Sequence, residues 1–457
     1  MSGPIIWIFI PILGGTVLYI LQKNRLLVNI LGIFITVNLV LTAWAIPIRN
    51  ISAPEFLPIS LNPVFQISNF QFVIRNSDRV TMMVIFALTV FMMIGSIASG
   101  SQRRSVPIFM LADAFLVAAF SFQPTSYGIL FFIPIVFLFT FVLSPPGDEI
   151  STGLLKFIAF QIIGITAMIL AAGIMLNDPH ILENEVSIDT VTMLCLLGFI
   201  FLFSVFPVFT WIIKTTETQD IYITSYVLIM IFGGYVLYFT QFNNQYGWLF
   251  SSSNITALIR VAGMAMVITS GIWILFERNA GRLFGYGAVI AMGNTLLTFL
   301  VKDSMLPFLL ISSYFFALSI WALGLTVLKN ISKSLDFESI QGMGRSFPIS
   351  SLSIIVANVS IAGLPLLASF PGLIVLWDQI DLLSSSEVII NILSSVCLLV
   401  GGLRTMRILL AGNPDTGLDQ SENLSQQILL VAGIIGLLFL GIFPQWFIQF
   451  IQGILIQ

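Results

Sequence analysis

Residues 342–377 read GMGRSFPISSLSIIVANVSIAGLPLLASFPGLIVLW. The stretch is apolar and long enough to cross a membrane, since a spanning helix needs about 20 apolar residues. It is interrupted, however, by Gly363, Pro365, Pro371 and Gly372, and no charged residue lies at the interruption. The sequence therefore predicts a membrane helix that is broken in its middle and uncharged where it breaks.

The composition of the whole chain identifies the class of protein. Of 457 residues, 58% are hydrophobic and only 9% are charged. A soluble domain carries about 25% charged residues, because its surface is in contact with water. We therefore predict an all-α polytopic membrane protein. The net charge of -3 forms no basic face, so nucleic acid is not expected as a partner.

Residues that hold metals or cofactors are scarce. Cys195 and Cys397 lie far apart in apolar segments, and His180 is the sole histidine. This pattern predicts neither a disulfide framework nor a metal site. No glycine-rich nucleotide fingerprint and no cysteine set for an iron-sulfur cluster is present, so we expect no cofactor in this chain.

The hydropathy pattern predicts fourteen membrane spans. The first, PIIWIFIPILGGTVLYIL, lacks a basic segment before it and a cleavage site after it, and is predicted to be a retained helix. The spans cover approximately residues 5–22, 27–48, 80–98, 105–122, 126–144, 154–176, 190–213, 221–240, 255–276, 283–300, 304–326, 349–377, 386–407 and 425–447.

The positions of lysine and arginine predict the orientation, because these residues are retained in cytoplasmic loops. With the N-terminus outside, thirteen of them fall in inner loops or adjoining helix ends and four fall in outer loops. Both termini are therefore expected on the non-cytoplasmic side of a bacterial inner or other energy-transducing membrane. The outer loop 49–79 alternates apolar and polar residues between prolines, and is predicted to form a short hairpin or an extended cover.

A second interruption is predicted near residues 207–220, in FPVFTWIIKTTETQD, where Pro207 follows an apolar run. Breaking a helix in lipid is tolerated only where protein or water covers the freed backbone groups. Two breaks at matching positions of two halves indicate an ion path at the midplane. That interpretation predicts inverted five-helix repeats; the alternative is that the prolines only kink long helices for packing.

Several motifs, in order along the chain, resemble those of the antiporter-like membrane subunits of respiratory complex I and of Mrp-type antiporters. The opening stretch is similar to the family pattern GLGRR-P...SLAGIPP-AGF-GKF, which it matches at Gly342, Gly344, Arg345, Pro348 and further positions. The others are GLLKFIAF, FPVFTW, GRLFGYGAVIAMG and LGIFPQW. The resemblance covers residues 80–457 and is closest to the subunit that adjoins the quinone-reducing arm.

This resemblance implies two inverted five-helix repeats, each with a broken helix, in one membrane domain. The expected parts are two N-terminal helices with a loop (1–79), a first repeat (80–240), a second repeat (241–377) and C-terminal helices (378–457). It also implies a non-catalytic subunit of a complex I-type oxidoreductase, with the bilayer and other hydrophobic subunits as partners.

The resemblance further implies a chain of buried ionisable residues that carries protons. In this chain the five corresponding positions, called the family stations below, are all apolar. They are Pro134, Leu202, Ile231, Ala291 and Leu373. Leucine and isoleucine hold no proton, and joint loss of the family's glutamate and lysine avoids an unpaired buried charge. We therefore expect a degenerate member that keeps the scaffold without that pathway.

Three charged residues within spans have alternative interpretations. Asp113 lies at the centre of the fourth span, where a carboxyl group suggests proton handling; the alternative is that a protonated Asp113 bonds the backbone of a neighbouring helix. Lys156 matches a family lysine, but lies near a span end where lysine extends towards lipid headgroups. For Arg260, near the outer end of the ninth span, extension to the headgroups is favoured.

Three functions follow. The first is a structural membrane-arm subunit of a complex that oxidises NAD(P)H or a related donor with quinone. The second is an active proton-translocating subunit that uses substitutes such as Asp113 and Lys156. The third is a stand-alone secondary transporter for a neutral or lipophilic substrate, which an apolar path would tolerate.

Overall fold

The computed structural model describes residues 2–48, 61–67, 70–101, 104–144, 150–177, 185–250, 253–301, 306–411 and 422–449. His180 lies outside these ranges. The described chain is almost entirely helical. Its α-helices are α1 (Ile10–Ile20), α2 (Arg25–Ala45), α3 (Asp78–Ser99), α4 (Ser105–Ser121), α5 (Phe132–Leu143), α6 (Thr152–Asn177), α7 (Glu185–Leu202), α8 (Thr210–Thr218), α9 (Ile221–Gln245), α10 (Gly247–Phe250), α11 (Ser253–Ile274), α12 (Ala280–Leu297), α13 (Leu306–Ser332), α14 (Pro348–Ile361), α15 (Phe370–Asp381), α16 (Ser385–Leu410) and α17 (Leu424–Ile442).

A π-helical turn, Ile5–Phe9, precedes α1, and a 3-10 segment, Thr125–Phe131, leads into α5. Among the described residues, ten helices are long and apolar enough to cross a membrane, and four shorter apolar ones join them. These helices overlap the predicted spans. The all-α membrane architecture is therefore confirmed, whereas the number of crossings and the inverted repeats stay predictions.

The predicted hairpin forms in the loop that follows α2. Strands β1 (Val64–Ile67) and β2 (Phe70–Val73) pair antiparallel, with Val64 opposite Val73. A two-residue strand, β3 (Phe122–Gln123), extends this sheet after α4. Phenylalanine rings contact each other across it, and the rings of Phe72 and Phe122 meet edge to face with centroids 5.3 Å apart. The sheet therefore joins the loop to the end of α4.

The centre of the bundle is formed by α9, α12 and α13. In the most apolar stretch of each helix, 94% of the residues are buried in α9 and 89% in α12, but only 22% in α17. A helix that is apolar on every side can lie at the centre of a bundle, because it has no polar face that must contact water. The peripheral helices expose large apolar side chains, as is expected of surfaces in contact with lipid.

Arginine side chains close two helix ends. Arg79, 1% exposed, donates to the carbonyl oxygens of Ala43 and Trp44 at the C-terminus of α2. Arg404 donates to the carbonyl oxygens of Leu275 and Glu277 beyond α11. The last carbonyl groups of a helix lack partners and carry partial negative charge, so a guanidinium group stabilises them.

The N-terminus of α9 is closed by a carboxylate. Asp220 accepts from the backbone N–H groups of Tyr222 and Ile223 at 2.9 and 3.2 Å. Burial raises the pKa of Asp220, and the bond from Ile223 partly opposes that rise. A negative charge at this position is stabilised by the positive end of the helix dipole. The cap therefore sets where α9, the most buried helix, begins.

Both breaks occur, but their limits differ from the predictions. The first lies at 203–209, not 207–220, because Thr210–Thr218 is helical. Pro207 is inside this break, and Ser204 has a positive φ of 51°. Across the break, Trp211 Nε1 donates to Ser204 Oγ at 2.8 Å. The bond gives the buried hydroxyl group and the indole nitrogen a partner within the interrupted segment.

The second break covers 362–369, not 363–372. Pro371 and Gly372 lie in the first turn of α15 and do not interrupt it. Proline is tolerated there because its missing N–H has no helical partner in a first turn. Gly363 has a φ of 80° and Leu366 a φ of 73°. Left-handed backbone at these two positions, with Pro365 between them, ends the helix.

Candidate functional site

The family stations lie within the bundle, and none of them can titrate. Leu202, Ile231 and Leu373 are fully buried, and Ala291 is 2% exposed. Pro134, in α5, is half-buried. Ala291 borders a cavity of about 10 Å³ whose other walls include Phe203, Phe232 and Phe315. Such a cavity is at the lower limit for one water molecule, which also needs polar partners.

Asp113 lies in α4 and is completely buried. Its Oδ1 accepts hydrogen bonds from Thr89 Oγ1 of α3 at 3.0 Å and from Tyr226 OH of α9 at 3.1 Å. The ring of Tyr226 stacks on Phe109, with centroids 3.6 Å apart. Oδ2 has no hydrogen-bond partner among the described residues. The carboxyl group thus links three helices through one oxygen and leaves the other unused.

Replacing Asp113 by alanine is expected to lower the free energy of unfolding by about 1–3 kcal/mol, because the buried Thr89 hydroxyl loses this acceptor and Tyr226 keeps only the carbonyl oxygen of Phe109, at 3.2 Å. Asp113→Asn keeps an oxygen at the Oδ1 position and is expected to retain most of the stability. Thermal unfolding of detergent-solubilised protein measures both variants. If asparagine were as damaging as alanine, the carboxyl group itself, rather than one acceptor oxygen, would be required.

A second polar contact joins α6 to α9. Tyr235 OH donates to Gln161 Oε1, and both side chains are fully buried. Gln161 Nε2 has no hydrogen-bond partner among the described residues. Nine residues of α9, a rise of about 14 Å, separate Tyr235 from Tyr226. No hydrogen bond between described residues links this contact to the Asp113 group, so the two are separate.

A longer polar chain crosses the second half of the bundle. Trp377 Nε1 donates to Asn391 Oδ1 at 2.9 Å, and Asn391 Nδ2 donates to Asn294 Oδ1 at 2.8 Å. Asn294 Nδ2 then donates to Tyr314 OH at 3.1 Å. Tryptophan can only donate, which fixes the orientation of both amides along the chain. These bonds join α15, α16, α12 and α13.

The neutral groups lie one helical turn from three family stations. Tyr235 is four residues after Ile231, Asn294 is three after Ala291, and Trp377 is four after Leu373. Residues three or four apart share a helix face. Single amides within apolar runs, as in FIAFQIIG and AMGNTLL, were a signal for these groups that the sequence analysis did not use.

The other two charged residues of the predicted spans lie at the bundle surface. Lys156 is exposed near the start of α6, and no described contact joins it to Asp113. Arg260 is half-buried and pairs with Glu387 of α16, its Nε lying 2.8 Å from Oε1. The structure thus brings Arg260 to an unforeseen partner and leaves Lys156 without a described ion pair.

Acidic and basic side chains are rare in the interior. Among the described residues, the buried Asp, Glu, Lys and Arg side chains are Asp78, Arg79, Asp113 and Glu422. Asp78, Arg79 and Glu422 lie at or before helix starts, and Glu422 accepts from the backbone N–H of Ser350 in the first turn of α14. Asp113 is therefore the one member of this group that lies within the middle of a helix.

Comparison with known proteins identifies the scaffold. A family model described as NADH:quinone oxidoreductase/Mrp antiporter, transmembrane, matches residues 148–398, which is more than half of the chain. The chain belongs to this family. The resemblance stated from the motifs is therefore confirmed. The protein is an antiporter-like, multi-pass integral membrane protein of the complex I and Mrp type.

A curated member of related sequence is NADH-quinone oxidoreductase subunit N 2 of Thermodesulfovibrio yellowstonii, 25% identical over 191 residues. That match spans 38% of this chain and 40% of the relative. The antiporter-family chain thus aligns with less than half of that relative's length, so its activity and partners do not transfer directly.

Solved structures share the fold over nearly the whole chain. One chain of the membrane-bound sulfane sulfur reductase, an archaeal respiratory complex, superposes with a TM-score of 0.82 at 14% identity, over 98% of this chain and 96% of that one. The Mrp complex from Dietzia sp. gives 0.80 at 12% identity, over 99% and 96%. Respiratory complex I from Thermus thermophilus gives 0.75 at 15% identity, over 99% and 98%.

Proposed function

We propose that this antiporter-family chain is a membrane-arm subunit of a complex I-type quinone oxidoreductase, and that it seals the bilayer and connects its neighbours without carrying protons itself. The observation that supports the proposal is the apolar character of all five family stations. A proton relay requires side chains that gain and lose a proton, and buried ionisable groups in membranes usually mark such paths.

The neutral chain from Trp377 to Tyr314 is consistent with this role. Amide N–H groups donate hydrogen bonds but do not titrate near neutral pH. Each bond has a fixed donor, so the chain holds four helices together rather than exchanging protons between them. Hydrogen bonds between membrane helices contribute about 0.6 kcal/mol each on average. The three bonds therefore add modest stability and a specific helix arrangement.

The unused Oδ2 of Asp113 favours a second candidate function, in which this subunit moves protons through a substitute group. A proton path needs a further titratable group within reach. Tyr226 donates to Asp113, but the next polar contact, between Tyr235 and Gln161, lies about 14 Å further along α9. The cavity beside this part of α9, of about 40 Å³, is bordered mainly by side chains such as Leu88, Leu116 and Met230.

Extraction of the tagged chain in mild detergent is expected to recover several other hydrophobic subunits with it. In vesicles that contain this complex, Asp113→Asn is expected to leave the number of protons moved per electron unchanged. Electron transfer and acidification are measured together, so that loss of assembly is distinguished from loss of pumping. The conservative substitution preserves the acceptor to Thr89 and Tyr226.

Two results would overturn the proposal. A lower proton-to-electron ratio in Asp113→Asn, with unchanged electron transfer and subunit content, would establish the second candidate. Recovery of the chain alone, in a form that carries solute across liposome membranes, would establish a stand-alone transporter. Lys214→Gln serves as the matched control, because Lys214 is exposed, pairs with Glu217 and shares no described contact with Asp113.

A further inference from the structure

A groove runs along the surface between α11 and α16. These helices are parallel neighbours: Arg260 near the start of α11 pairs with Glu387 near the start of α16, and Arg404 near the end of α16 bonds the carbonyl oxygen of Leu275 beyond α11. The groove has a volume of about 820 Å³. Its walls are formed by one face of α11, from Thr256 to Ile268, and by Glu387 and Ile390 of α16.

The groove has a charged end and an apolar floor. The α11 residues that line it are 257, 260, 261, 264, 265 and 268. Their spacing of three or four residues places them on one face of the helix. Ala257 and Ala265 leave space, and Val261 is 66% exposed. From Arg260 to Ile268 the floor extends about 12 Å along the axis, leading from the helix start towards the bilayer centre.

The ion pair retains capacity for further partners. Arg260 bonds both carboxylate oxygens of Glu387 through Nε alone, each at 2.8 Å. Its two terminal nitrogens have no hydrogen-bond partner among the described residues, and the side chains are 35% and 22% exposed. A guanidinium group with free terminal nitrogens binds phosphate well. The Glu387 carboxylate can accept a further bond from an ammonium group.

We propose that this groove binds a phospholipid with an ethanolamine headgroup. The phosphate lies on the terminal nitrogens of Arg260, the ammonium group donates to Glu387, and an acyl chain fills the apolar floor. An anionic phospholipid without an ammonium group would place negative charge beside Glu387 uncompensated. A helix from another subunit would instead remove the half-exposed ion pair from water. The desolvation penalty of burying the two charges would then exceed the attraction between them.

Native mass spectrometry of the full-length chain, extracted with whatever subunits accompany it, tests the proposal. The preparation is exchanged into phosphatidylethanolamine, phosphatidylcholine or phosphatidylglycerol with identical acyl chains. Retention of phosphatidylethanolamine is expected to exceed that of the other two about ten-fold, the ratio that one charge-assisted hydrogen bond supplies. Phosphatidylcholine is the informative comparison, because its quaternary ammonium carries no N–H to donate.

Variants separate the two contacts. Glu387→Gln is expected to reduce the preference for ethanolamine over glycerol headgroups to near one, and Arg260→Gln to reduce retention of all three lipids. Ala265→Trp should displace the acyl chain while the ion pair remains. Lys214→Gln, which removes one charge from the exposed Lys214–Glu217 pair outside the groove, is the matched control and should change nothing.

Equal retention of the three lipids by the unmodified protein would overturn the proposal. So would retention that Ala265→Trp leaves unchanged, or a cross-link from position 265 to a neighbouring subunit that excludes lipid. Because the readout is lipid retention, its failure leaves the proposed function unaffected, and a change in proton transport leaves the lipid site unaffected.

Discussion

Replacement of Leu202 by lysine is expected to prevent accumulation of the folded protein in the membrane. Leu202 ends α7 at the first break and is fully buried. It packs so closely on α6 that a Cβ added to Gly164 would lie 2.8 Å from Leu202 Cγ. The resemblance places a family lysine here, but the acidic partner position is Pro134 in this chain. A lysine would therefore be buried without a counter-charge.

The expected loss is large compared with the stability of a folded domain. A lysine at the centre of a membrane helix costs about 2.5–3.5 kcal/mol in insertion measurements. An unpaired charge among packed side chains costs about 3–5 kcal/mol. The yield of monodisperse protein in membrane extracts measures the effect. Leu202→Met, which nearly conserves volume, is the control and should cost less than about 1.5 kcal/mol.

Normal accumulation of Leu202→Lys would contradict the interpretation of the family stations. It would mean that water or an acidic group reaches this position, as it does where such a lysine serves proton transfer. The proposal of a subunit that carries no protons would then lose its main support. The prediction thus tests the function as well as the packing.

Replacement of Gly441 by valine is expected to disrupt the second break. Gly441 lies in α17, and a Cβ there would lie 2.3 Å from the carbonyl oxygen of Leu366 and 2.4 Å from the carbonyl carbon of Leu367. Both are backbone atoms of the unwound segment, so no side-chain rotation relieves the contact. Overpacking costs about 1–3 kcal/mol, and we expect the upper end because backbone must move.

The measurement is thermal unfolding of the detergent-solubilised protein, combined with labelling of a cysteine placed at the exposed position 364. A matched control is Gly173→Ala in α6, where an added Cβ meets no atom within 4 Å. Alanine is favoured over glycine in a helix by up to about 1 kcal/mol, so this control should be neutral or stabilising. Equal stability of Gly441→Val and the control would show that α17 does not support the break.

Gly441 also gives a physical reason for a motif. In the sequence, LGIFPQW supported the resemblance only through its similarity to a family motif, without a structural reason. In the structure, its glycine is the point at which α17 approaches the unwound backbone after Gly363. Two motifs about eighty residues apart thus meet in one contact. Spacing along the chain could not predict this, because it depends on how α17 packs.

For the two breaks, the sequence pattern predicted their existence but not their limits. Glycine and proline within apolar runs correctly predicted that two helices are interrupted. Their limits were wrong, because Pro371 occupies the first turn of α15 and Thr210–Thr218 is helical. Proline fixes only its own φ angle and lacks a backbone N–H. Its position therefore indicates a helix boundary but does not show whether the helix ends before the proline or begins at it.

The sequence by itself determined the membrane environment, the helical class and the family, and it predicts the loss of titratable groups at the family stations. These follow from composition, hydropathy and residue identity, which are properties of single positions. Only the tertiary structure decided that Trp377, Asn391, Asn294 and Tyr314 form one chain, that Asp113 meets Thr89 and Tyr226, and that Arg260 meets Glu387. Hydrogen bonds between helices depend on the rotation and depth of each helix, which packing sets and the apolar character of a span leaves undefined.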